Sequence, residues 1–198
     1  LNSSFWLAVG SSFIGAAAAF FVQQIVTWWR RPDLRVEVEN DSGFVVARRM
    51  HSPNAAPGEK SWVGVWLRVR VVNAGRGVAR ESRVFLTRFE SATDSKIFRE
   101  STDPAALNWA HLPPGSAIDI PPGMGFFADV ILLRQTPAGV RAMLQSETDL
   151  PLLSDLLTVG HELSAEFTPT HASGLGRSRR ARVRPGPKVD DYEWRSWP

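Results

Sequence analysis

From Phe5 to Trp29 the chain reads FWLAVGSSFIGAAAAFFVQQIVTWW, a run without a charged side chain that ends abruptly at Arg30, Arg31 and Pro32. At about 1.5 Å per residue a helix over this run reaches roughly 37 Å, enough to cross a hydrocarbon layer of about 30 Å with some tilt. From Asp33 the apolar period changes to alternation. Leu34, Val36 and Val38 interleave with Arg35, Glu37 and Glu39. In the clearest run, Trp62 to Asn73, Val63, Val65, Leu67, Val69 and Val71 alternate with Trp62, Gly64, Trp66, Arg68 and Arg70. A period of two predicts strands with one buried face and one face turned to solvent or to a partner. Further strands are predicted over 78–90, 118–120, 126–133, 162–168 and 181–184, about seven in all. The turn Asn73-Ala74-Gly75-Arg76-Gly77, built of residues that tolerate positive φ, is expected to make strands 62–73 and 78–90 neighbours. Segments 137–145 and 150–158 have helix-compatible spacing and are expected as short helices in the loops. The expected architecture is mainly β: a single N-terminal transmembrane helix (1–32), an antiparallel β-sandwich (33–184) and a Pro- and Trp-containing tail (185–198).

The anchor carries its own positional signals. Trp6 at one end and Trp28 and Trp29 at the other suit the two interfacial aromatic belts, and Arg30 and Arg31 mark the basic flank. With no basic residue before the span, the positive-inside rule sets the N-terminus outside and the β-domain on the cytoplasmic side of the inner membrane. A cleaved signal peptide fits less well, because Leu1 to Ser4 lack a positive n-region and the apolar run exceeds a signal core of about 7 to 15 residues. Ser11, Gly15 and Ala19 recur at every fourth position beside a second row of Ala8, Ser12 and Ala16. This small-residue face is expected to pack on a neighbouring helix.

Cysteine is absent, which excludes disulfides, thiolate metal sites and a cysteine nucleophile. The net charge of +3 is modest, and its excess lies in the juxtamembrane arginines and in Arg177 to Arg184, away from any nucleic-acid groove pattern. That second basic run is expected either to meet anionic lipid or to form an edge strand guarded by outward arginines. The histidines at 51, 111, 161 and 171 never take the spacing that puts two metal ligands on one helical face. His161-Glu162 begins like a zinc-protease motif, but Ala165 occupies the place of the second histidine. Gly174-Leu175-Gly176-Arg177 lacks the context of a phosphate loop, and Asp190-Asp191 lacks a partner base. The residues therefore predict no catalytic site, no metal and no cofactor.

The succession of a strand, Asn73-Ala74-Gly75-Arg76-Gly77-Val78-Ala79, a second strand, and Ile120-Pro121-Pro122-Gly123 leading into a third resembles the immunoglobulin-like sandwiches of bacterial CARDB-type adhesion-related domains. The likeness covers roughly 34–184. The chain departs from that pattern in the polar insertion Ser91 to Leu107. The resemblance implies a binding or spacer module without chemistry of its own.

Aromatic residues in polar surroundings complete the reading. Tyr192, Trp194 and Trp197 in the tail, and Trp62 and Trp66 on the polar side of the clearest strand, are expected to anchor a partner. The expected role is a non-catalytic accessory subunit of a larger membrane assembly, of the respiratory or photosynthetic kind, with other integral membrane subunits and membrane lipids as partners. The alternative is an independent membrane-tethered binding module.

Overall fold

Apolar alternation becomes strand along most of the chain, and two antiparallel sheets face each other across one core. The computed structural model describes residues 17–50, 62–93, 96–101, 104–136, 139–145, 162–186, 188–189 and 192–197. Among the described residues a helix, α1 (17–29), precedes fourteen strand segments. These are β1 (Leu34–Glu37), β2 (Val45–Met50), β3 (Trp62–Asn73), β4 (Ala79–Thr93), β5 (Lys96–Ser101), β6 (Ala105–Ala106), β7 (Asn108–Trp109), β8 (Ile118–Ile120), β9 (Gly125–Thr136), β10 (Gly139–Leu144), β11 (Glu162–His171), β12 (Gly174–Leu175), β13 (Arg179–Pro185) and β14 (Tyr192–Trp197). The first sheet runs β1-β3-β9-β10, with β2 also on β3 and β7 also on β9. The second runs β14-β13-β11-β4-β5, with β12 on β11 and β6 and β8 on β4.

The inner faces supply the core: Val65, Leu67, Val69 and Val71 from β3, Ala128, Val130, Ile131 and Leu133 from β9, Leu163, Ala165 and Phe167 from β11, and Ala181 and Val183 from β13. In β11 the polar partners of the alternation, Glu162, Ser164, Glu166 and Thr168, take the outer positions. Two bulges reset the alternation. Leu67 faces Ile131 while Arg68 faces Asp129, so Val130 is the extra residue, and buried positions in β9 pass from Ala128 and Val130 to Ile131 and Leu133. Thr87 does the same in β4, where Val84 and Leu86 are followed by Phe89.

Several expectations change. Strands 62–73 and 78–90 are not neighbours: β3 and β4 belong to opposite sheets, and the Asn73–Gly77 turn is the crossover between them. None of Asn73, Gly75 and Gly77 has a positive φ. The glycines are needed for close approach, since a Cβ on Gly75 would meet Arg31 O at 2.5 Å and one on Gly77 would collide with Arg30 O. The segment expected as a helix over 137–145 is instead β10, paired with β9 from Gly139↔Thr136 to Leu144↔Ile131. Pairing that buries Val140 and Ala142 outweighs the helix propensity of Arg, Ala, Met and Leu. The second expected helix, 150–158, lies outside the described residues. The insertion 91–107 extends the second sheet through the β4–β5 pair.

The tail also folds back. β14 pairs with β13 from Pro185↔Tyr192 to Arg180↔Trp197. Its Trp194 is 2% exposed, lies edge-on to Phe167 with ring centroids 6.4 Å apart, and donates from Nε1 to Arg68 O at 3.2 Å. Trp194 is thus a core residue that ties the second sheet to the first, and it is not free to anchor a partner. The basic run is no edge either, because β13 is flanked by β11 and β14. Its arginines meet carboxylates on the outer face, Arg180 with Glu166 at 3.1 Å and Arg182 with Glu162 at 2.9 Å.

Among the described residues no helix is long and apolar enough to cross a membrane. The expected span rests in large part on residues 5–16, which lie outside the described ones.

Candidate functional site

Two surfaces combine unusual chemistry with defined geometry: the junction of α1 with the sandwich, and the outer face of the first sheet. Every described residue of α1 is exposed, including Phe20, Phe21 (66%), Val22, Ile25 and Trp28 (65%). Ala19, from the small-residue rows, is exposed with them; Ala8, Ser11, Ser12, Gly15, Ala16 and Trp6 lie outside the described residues. The helix ends through Arg30 N→Val26 O (3.0 Å) and Arg31 N→Trp28 O (3.2 Å), and Pro32 cannot continue it. The linker is then bonded to the crossover turn by Arg76 N→Arg31 O (3.3 Å) and Ala74 N→Asp33 O (2.8 Å). The Arg76 guanidinium sits 4.3 Å above the centroid of Trp29.

Asn73 organises this junction. It is fully buried, its Oδ1 accepts from Asp33 N (3.2 Å) and Gly75 N (3.0 Å), and its Nδ2 donates to Gly77 O (2.7 Å) and Ile120 O (2.9 Å). One side chain therefore ties the linker, the crossover turn and the end of β8. Asp33 accepts from Arg35 (2.6 Å) on one carboxylate oxygen and from Arg177 (3.2 Å) on the other.

Between the end of α1 and the β11–β12 turn lies a cleft of about 740 Å³ whose walls include Val26, Arg30, Arg31, His171 and Ser173. The Ser173 hydroxyl lies 2.9 Å from His171 Nδ1, and the Ser173 amide donates to the same nitrogen at 3.3 Å. Burial pushes the His171 pKa below the usual imidazole value, so the ring is neutral near pH 7 and its proton sits on Nε2. Two exposed apolar side chains, Val78 and Leu175, line the cleft, and a third, Met124, stands on the loop whose carbonyl accepts from Asn73 N. The sequence contains these residues, but their convergence depends on strand order and was not legible in it.

On the outer face of the first sheet, Trp62 and Trp66 flank Gly64 and fill the room its missing side chain leaves. A Cβ there would meet Trp62 at 2.8 Å and Leu132 at 2.9 Å. The Arg134 guanidinium lies 4.4 Å above the Trp62 ring. Further along this face Arg68 and Asp129 form a pair at 2.6 Å with both side chains largely buried, and Phe44 meets Phe127 edge-on. Trp62 and Trp66 are half-buried and share one patch, as their alternation in sequence requires. Tyr192 is half-buried against the core at the far edge, and Trp197 ends β14.

Among the described residues no three of His, Asp and Glu form a group able to hold a metal ion. His111 lies on a turn with φ of 69°, while His51 and His161 lie outside the described residues. Compared with protein-family models and with curated proteins, the chain matches none.

Proposed function

We propose that the protein is a non-catalytic, membrane-tethered accessory subunit, in which α1 and the residues before it lie in the bilayer and the sandwich braces a neighbouring subunit. The observation that carries this reading is the exposure of α1 on all sides. A mainly apolar, uncharged helix whose described residues are all exposed, and which meets its own domain through Trp29 under Arg76, is better placed in hydrocarbon or against other apolar helices than in water. The uncharged run before it and the arginines after it support a span with the sandwich on the cytoplasmic side of the inner membrane.

The pairing of β1 with β3, β3 with β9, β4 with β11 and β11 with β13 follows the A-B-E and C-F-G order of immunoglobulin-like sandwiches. It is compatible with the proposed likeness to CARDB-type domains, and the binding role belongs to that proposal. With Trp194 inside the core, the partner surface of this reading is the outer patch of Trp62 and Trp66, which cover the buried Leu132. An outward sheet face so rich in aromatic side chains is suited to burial by another protein.

Resistance of the full chain to alkaline carbonate extraction, with stoichiometric co-migration in a larger complex after mild-detergent solubilisation, is the expected result. A Trp66→Glu variant should stay in the membrane and leave the complex. Extraction by carbonate would sink the tether. Migration of the membrane-bound wild type as a monomer would favour the independent tethered module.

A further inference from the structure

We infer that the cleft between α1 and the β11–β12 turn is a binding site for the headgroup phosphate of an anionic phospholipid; this inference rests on the tether reading. Depth is the first argument. Four residues separate Trp29 from Leu34, five steps that reach at most roughly 18 Å even when fully extended, and the linker is bonded directly to the crossover turn. The cleft mouth therefore lies at headgroup level when α1 is in the bilayer.

Chemistry is the second argument. Arg30 and Arg31 line the cleft, no carboxylate is among its walls in the described residues, and Asp33 is paired with Arg35 and Arg177. Two permanent cations thus face a cleft with an imidazole Nε2–H donor from His171, whose Nδ1 is held by Ser173, a set that suits phosphate oxygens. Val26 from the helix and Leu175 from the opposite wall are apolar and exposed. They can lie along glycerol and acyl carbons while the arginines hold the phosphate. The basic run of β13, by contrast, has Arg180 and Arg182 paired with glutamates and offers less free charge.

The test is native mass spectrometry of the purified full chain in mild detergent, titrated with phosphatidylglycerol, phosphatidylcholine or inorganic phosphate. One tightly retained phosphatidylglycerol is expected, with weaker binding of phosphatidylcholine. Arg30→Gln combined with Arg31→Gln should weaken it roughly 30-fold, at about 1 kcal/mol per arginine. Ser173→Glu, which puts a negative charge into the cleft without touching the helix, should weaken it as well. Arg48→Gln with Arg49→Gln, on exposed β2, should not. Melting curves of each variant confirm that the sandwich is folded. Equal phosphatidylglycerol binding by the wild type, the double arginine variant and Ser173→Glu would overturn the site. Full displacement by millimolar inorganic phosphate would reassign it to free phosphate and overturn the lipid. Carbonate-resistant protein without lipid preference would sink this inference while leaving the tether intact.

Discussion

Asn73 satisfies two donors and two acceptors at one buried point, and the residues it joins come from positions 33, 75, 77 and 120. Asn73→Ala would strand two carbonyls and two amides at the junction of the sheets. A buried polar group left unmade costs about 1 to 3 kcal/mol, so a loss of roughly 3 kcal/mol or more is expected. A lower urea midpoint with an unchanged m value would register it; a midpoint within error of wild type would show that water replaces the side chain. Arg68 and Asp129 offer a cleaner contrast. Arg68→Met alone leaves a buried carboxylate unpaired and should cost about 3 to 5 kcal/mol, whereas Arg68→Met with Asp129→Leu should recover most of that loss. If the double variant were as unstable as the single one, the charge pair would not be the source. His171 predicts the pH dependence. Its pKa is lowered in the fold by burial, so the unfolded chain binds more protons once the pH falls below about 6.5, and stability must fall with it. His171→Gln should flatten that decline in urea titrations at pH 5 and pH 7.5. Asn73 was recognisable in the sequence as a turn residue, and its bonds to Gly75 and Gly77 belong to that turn, but its role between the sheets was not, because the partners at 33 and 120 are set by strand order and not by local pattern.

At the scale of elements, the strands whose two faces differ in polarity were readable, as in β3 and β11. Those whose pattern is broken were not. The buried phase of β9 shifts at Val130, and that of β4 at Thr87, because each bulge turns the next residue to the other face. β10 was obscured differently: Gly139 to Leu144 has residues that also suit a helix, and only the adjacent strand β9 decides between the two. β14 shows the same limit for a tail. Tyr-Glu-Trp-Arg-Ser-Trp alternates, but two prolines and a glycine before it read as an exit from the domain. Its folded position makes a definite prediction. Trp194→Ala should destabilise the whole sandwich by about 3 to 5 kcal/mol, since it removes a large core side chain. Truncation after Gly186 should be at least as damaging. Both would be seen as lowered melting temperatures of the purified protein. A truncated chain that melted like wild type would mean that β14 is dispensable and that its aromatic residues are available to a partner after all.

For the whole molecule, charge and apolar surface divide between the two ends of the fold. The outer face of the second sheet carries alternating Arg and Glu, Arg88 with Glu90, Arg180 with Glu166 and Arg182 with Glu162, so its basic sequence does not make a basic surface. Where α1 enters the sandwich, by contrast, Arg30 and Arg31 line a cleft with no carboxylate among its walls in the described residues. That division was only partly visible in the sequence, where the two basic runs looked equivalent; cross-strand glutamates distinguish them. In the proposed tether reading it also separates attachment from folding. α1 is exposed along its described length, and its side-chain hold on the domain includes Trp29 beneath Arg76, a contact of the kind worth about 0.5 to 1 kcal/mol. Arg31 and Asp33, by contrast, are hydrogen-bonded into the crossover turn. A chain beginning at Arg30 should therefore remain folded with a melting temperature close to that of the full protein, while leaving the membrane fraction. A chain beginning at Leu34 should lose stability, because it also removes the Asp33 amide held by Asn73 and the carbonyls held by Arg76 and Ala74. Equal melting of the two truncations would show that the linker contributes nothing to the fold; collapse of both would show that the helix is part of the domain rather than its tether.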